Sequence, residues 1–89
     1  MNRFSNEGKY FLVLMRDSNG RQKDCYVYCE YDVMNGGFAP NQFMTRDQAE
    51  TTAQRLRKFC KEKRLSYTFE IEDWSFLREI EEDEFLGQL

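Results

Sequence analysis

The chain has no histidine, one proline and five glycines among its 89 residues. Without histidine it lacks the commonest acid–base group at neutral pH and the commonest metal ligand. Proline and glycine are too scarce and too scattered to form a linker, so one domain is expected: a flexible lead-in over 1–8 and a single fold over 9–89. No apolar run approaches the roughly 20 residues that cross a bilayer. Residues 1–8 carry no apolar stretch of the kind a signal peptide needs, and a cytoplasmic location with no membrane partner is expected. The three cysteines are an odd set, so no disulfide framework is expected. Three thiols without an imidazole do not complete a structural zinc site, and no base stands ready to activate a nucleophilic thiol. Cys25, Cys29 and Cys60 therefore read as small buried residues. Asn35-Gly36-Gly37 is followed by no Gly-Lys-Ser/Thr, and reads as a turn rather than a phosphate loop. No catalytic residue, metal site or cofactor is assigned, and the chain reads as a non-enzyme.

Aliphatic side chains are also few. Ile, Leu and Val together number 12, against 14 aromatics. Each aromatic ring buries a large area, so the rings must supply most of the core of so small a domain.

Along the chain, 10–15 is a continuous apolar run that reads as a central strand buried on both faces. Asn19-Gly20 marks a hairpin turn, because both residues tolerate positive φ. The β-branched and aromatic run 25–31 reads as the returning strand, with Cys25, Val27, Cys29 and Tyr31 on one face and Tyr26, Tyr28 and Glu30 on the other. After the turn at Asn35-Gly36-Gly37, a short strand is expected over 38–44. Pro40 confines it to a sheet edge or an irregular loop.

Thr45-Arg46-Asp47-Gln48 is a capping box that opens a helix over 46–64. Ala49, Ala53, Leu56 and Cys60 repeat at helical spacing and should face a sheet. Glu50, Gln54, Arg57, Lys61 and Arg64 form the opposite stripe. Residues 66–72 alternate, with Tyr67, Phe69 and Ile71 inward and Thr68, Glu70 and Glu72 outward. Asp73 or Ser75 should cap a short acidic C-terminal helix carrying Phe76, Leu77 and Ile80. The fold class is α+β: a small antiparallel or mixed sheet, β-β-(β)-α-β, packed on one main amphipathic helix.

The net charge of -3 conceals a split. Residues 1–64 carry 12 Lys/Arg and 8 Asp/Glu, while residues 65–89 carry a single Arg78 and 8 Asp/Glu. The ends are thus +4 and -7. Clustered carboxylates can serve glycoside hydrolysis or Mg²⁺ binding, but only by converging in a cleft, for which this chain has little room. A binding role fits better. Glu70, Glu72, Asp73, Trp74, Glu79, Glu81, Glu82, Asp83 and Glu84 form the first candidate surface. It would dock on a protein partner with a basic nucleic-acid groove, steered electrostatically and anchored by aromatic side chains. The second candidate is the basic helix face Arg57, Lys58, Lys61 and Arg64, which would neutralise nucleic-acid phosphates beside a stacking Tyr26 or Tyr28. An overall pI of about 5.0 weighs against this second surface. A homodimer through an exposed edge strand is a further expectation.

The strands leading into Thr45-Arg46-Asp47-Gln48-Ala49-Glu50 resemble the layout of the Trp-Gly-Arg nucleic-acid module, whose defining tripeptide is absent here. In size, acidity and lack of catalytic groups the chain resembles small inhibitors carried by phages and mobile elements, such as anti-CRISPR and nucleic-acid-mimic proteins, with no shared motif. The likeness implies an inhibitor or adaptor.

Overall fold

The computed structural model describes residues 8–37 and 42–78. Most of the lead-in, the first part of the 38–44 strand and the acidic helix beyond Arg78 lie outside the described residues. The architecture is α+β. A three-stranded antiparallel sheet runs in the order β2-β1-β3, from β1 (Phe11–Asp17), β2 (Cys25–Val27) and β3 (Tyr67–Asp73). A short helix α1 (Glu30–Asn35) and the main helix α2 (Arg46–Lys63) complete it.

β1 is central, as its apolar run implies, and Phe11 to Met15 are buried without a break. Val13 and Met15 point toward α2 and join the core with Val27, Phe69 and the helix stripe Ala49, Ala53, Leu56 and Cys60. Leu12 and Leu14 point to the other side and are buried there too. On α2 the Thr45 hydroxyl accepts from the Gln48 N–H and the Gln48 side chain accepts from the Thr45 N–H. The two alanines let the helix lie close to the sheet. Thr52 adds a buried hydroxyl that reaches the Met44 sulfur at 3.6 Å. In β3 the alternation holds: Phe69 is buried, Tyr67 and Ile71 pack on the core, and Thr68 and Glu70 are exposed.

One expectation is corrected and two are refined. The strand expected over 25–31 ends at Val27. Asp32 reaches back to accept from the N–H groups of Tyr28 and Cys29 at 2.7 and 3.1 Å, and this caps the start of α1. Tyr28, Cys29, Glu30 and Tyr31 therefore leave the sheet. Gly36 and Gly37, with φ of 93° and 89°, end the helix. At Gly37 a side chain would also strike the Tyr26 carbonyl. Second, the hairpin expected at Asn19-Gly20 is present, with β1 and β2 antiparallel and Gly20 at positive φ, and its loop runs from Ser18 to Asp24. The Asp17 carboxylate organises it by accepting from the N–H groups of Asn19, Arg21 and Gln22. Third, among the described residues the 38–44 strand is reduced to one bridge. Phe11 and Met44 exchange both main-chain hydrogen bonds, so Met44 extends the β2 side of the sheet by one residue.

After β3 the chain turns through Asp73, whose side chain accepts from the Ser75 N–H, and a helical turn begins at Leu77. Leu77 packs on the core, whereas Phe76 is exposed and stacks on Trp74. No helix among the described residues is long and apolar enough to cross a membrane.

Candidate interaction surfaces

The antiparallel topology sorts the chain into two ends. One holds the start of β1, the finish of β3 and the start of α2, tied together by the Phe11–Asp73 and Phe11–Met44 pairings and an Arg46–Asp73 ion pair at 3.9 Å. The other holds the β1–β2 loop, the C-terminus of α2 and the start of β3, joined by the Ser18 N–H to the Ser66 carbonyl.

The described carboxylates of the first candidate surface already have partners inside the chain. One oxygen of Glu72 accepts from both the Tyr26 hydroxyl at 2.7 Å and the Trp74 indole N–H at 2.8 Å. Burial, then the Glu72 hydrogen bond and charge, push the Tyr26 phenol up to about 12. Glu70 pairs with Arg16 at 3.2 Å, and Arg16 also approaches Asp24 at 3.6 Å. Asp73 is held below the ordinary carboxylate value by the Ser75 hydroxyl and N–H and by Arg46. Trp74 sits in a ring cluster with Tyr26, Phe43 and Phe76. Glu79, Glu81, Glu82, Asp83 and Glu84 lie outside the described residues.

A second surface, beginning at Tyr28 and continuing along α1, is not legible in the sequence. Tyr28, Tyr31 and Met34 are 46%, 72% and 61% exposed, two of them on α1. Tyr28 also lines a groove of about 350 Å³ with Met44, Asp47, Gln48, Thr51 and Arg55, among others. Arg55 fastens α1 to α2 by binding Glu30 at 3.1 Å and the Tyr28 carbonyl at 3.1 Å. The only sequence cue was Asp32 followed by Gly36-Gly37, the start and stop of a short helix.

The opposite end is cationic. Lys58, Lys61, Lys63 and Arg64 are exposed at the C-terminus of α2, and Arg21 and Lys23 lie on the β1–β2 loop. Among the described residues none of the six forms a salt bridge. Arg57, assigned to the same basic face, instead donates to the Phe69 carbonyl at 2.8 Å. Tyr26 and Tyr28, the stacking candidates, are not at this end.

Among the described residues no three His, Cys, Asp or Glu side chains are grouped to hold a metal ion. Cys60 is buried and Cys25 and Cys29 are partly buried. Burial raises the Cys25 and Cys60 thiols, with Asp24 adding to the effect at Cys25. That is the opposite of the shift a reactive thiolate needs.

No protein-family model matches the chain, and the comparisons with curated proteins and with solved structures found no match.

Proposed function

We propose that the chain is a small non-enzymatic protein-binding module, an inhibitor or adaptor, that docks its acidic end on a basic surface of a nucleic-acid-handling partner. The observation that carries this reading is a juxtaposition. Exposed Tyr28 lines a groove with Met44 and the start of α2, at the end of the fold where β3 finishes and leads into the acidic C-terminal segment, and exposed Tyr31 and Met34 follow Tyr28 on α1. Aromatic, Met and Arg side chains are the residues that anchor protein interfaces. The net charge of -7 over residues 65–89 would steer a basic partner toward those anchors and make association salt-sensitive.

The reading divides the labour differently from the sequence. Glu70, Glu72 and Asp73 shape the surface through internal bonds, and Glu79, Glu81, Glu82, Asp83 and Glu84 supply the field. The test is affinity capture with the tagged chain from a cell lysate, with heparin as a soluble polyanion. Proteins captured by the wild-type chain should be released by heparin. They should be lost from a Tyr31→Ser, Met34→Ser variant, and weakened when Glu79, Glu81, Glu82 and Glu84 become Gln. Capture indifferent to all three contradicts the proposal.

A further inference from the structure

The cationic end carries a second, independent inference. The β1–β2 loop and the α2–β3 turn enclose a polar groove of about 260 Å³, lined by Arg21 and Arg64 with Asn19, Gln22, Ser66 and Tyr67. Its walls are cross-braced. The Asn19 amide donates to the Ser66 hydroxyl at 2.7 Å, and the Tyr67 hydroxyl donates to the Gln22 side chain at 3.1 Å. Asp17 also lines the groove, but both its oxygens are filled by loop N–H groups.

Arg64 is the informative residue. It closes α2 in the left-handed conformation, φ 57°, and is the one non-glycine residue with positive φ among those described. Glycine or asparagine is the usual occupant of that position, because a β-carbon is disfavoured there. Lys61 and Lys63 are explained by the negative end of the helix dipole. That dipole does not explain a disfavoured backbone at Arg64, nor Arg21 on a separate loop across the groove. An outlier of this kind in a groove points from structure to function.

We propose that this end binds the phosphate backbone of a nucleic acid. Arg21 and Arg64 would grip phosphate in the groove, and Lys58 and Lys61 would continue the contact along α2. Planar guanidinium groups match phosphate oxygens in a bidentate manner, and Asn, Gln and Ser are the polar side chains that contact phosphate and sugar. Lys58 and Lys61 are neighbours one turn apart on α2 and Arg64 caps the helix just beyond them, so the three charges succeed one another toward its C-terminal end, an arrangement suited to a linear polyanion. Arg57 is not part of it, since its guanidinium is spent on Phe69. The site is separate from the acidic end, so a chain bound to a nucleic-acid-handling partner would still present it to that partner's nucleic acid.

The test uses the full chain and fluorescence anisotropy with a labelled single-stranded oligonucleotide, titrated over a range of salt. Poly-glutamate of similar length serves as the comparison polyanion. Four cations engaging phosphates at about 0.7 released counterions each give a log–log salt slope near -3. Changing Lys58, Lys61 and Arg64 together to Gln should cut the magnitude of that slope by about 2. Arg64→Gly relieves the left-handed backbone, so it should fold as well as wild type or better while weakening binding several-fold. Three results overturn the inference: no binding at low salt, poly-glutamate bound as tightly as the oligonucleotide, or Arg64→Gly binding at wild-type strength. Because the partner protein takes no part, this outcome is independent of the partner-binding proposal.

Discussion

Arg57 on α2 reaches across to β3 and donates to the main-chain carbonyl of Phe69 at 2.8 Å. Phe69 lies in an edge strand, and the register decides which way its carbonyl points. The Trp74 N–H bonds to Tyr10 and the Ser18 N–H to Ser66, so the even-numbered residues of β3 exchange hydrogen bonds with β1. The odd-numbered ones, Phe69 among them, turn their main chain outward. The guanidinium therefore stands over the middle of an edge that pairs with no other strand among the described residues. A second copy adding there would have to displace it, and edge strands guarded in this way resist pairing.

Arg57→Ala should therefore do two things. It removes a charged hydrogen bond worth about 1.5 kcal/mol or more, and it bares the edge. The expected result is a monomer at wild type and concentration-dependent association in the variant, read by sedimentation velocity. A wild-type homodimer unaffected by the substitution would contradict this role.

Glu72 holds two donors with one oxygen. Glu72→Ala strands the Tyr26 hydroxyl and the Trp74 N–H and should cost about 2–3 kcal/mol in urea denaturation. Glu72→Gln keeps an acceptor and should cost less. Tyr26 also gives a pH signature. Its phenol ionises at about 12 in the fold, against about 10 in an unfolded chain. Its stabilisation is therefore complete below about pH 10 and is lost as pH rises toward 12. Ultraviolet titration should show one late-titrating tyrosine, moved earlier in Glu72→Gln.

Asp17 and Asp73 act at the acid end of the scale. The Asn19 N–H, followed by those of Arg21 and Gln22, lowers Asp17, and Ser75 and Arg46 lower Asp73. For a depressed carboxylate the stabilisation is present above its ordinary value of 3.8 and is lost as pH falls through the lower folded value. Acid unfolding should begin below that ordinary value. Asp17→Asn should flatten that limb, an outcome read by circular dichroism.

Gly36 and Gly37 differ although they are adjacent. Both have positive φ, but only Gly37 packs against the Tyr26 carbonyl and the Cys25 side chain. Gly36→Ala should cost about 1 kcal/mol for the left-handed backbone alone. Gly37→Ala should cost well above that in a thermal melt, because α1 must shift off β2.

What could be read from the sequence follows from the range of the interactions. The α2 cap at Thr45 and Gln48, its buried stripe and the alternation in β3 are local, and the structure reproduces them. α1 is not legible in the sequence, because Tyr28 and Tyr31 favour a strand, whereas Asp32 and the glycine pair decide for a helix. Alternation puts Glu72 outward in β3. It cannot reveal Tyr26, which approaches only through a register spanning three strands. The meeting of Arg21 with Arg64 likewise needs the loop and the helix end to be brought together by the sheet.

The most direct measurement is comparative affinity capture with three forms of the full chain: wild type, Tyr31→Ser with Met34→Ser, and Arg64→Gly. Truncating interface anchors typically costs about 2 kcal/mol or more, roughly 30-fold in affinity. The expected result is a protein partner held by wild type and Arg64→Gly, released by heparin, and lost from the double variant. A partner held equally by all three forms would contradict the assignment of binding to the α1 end.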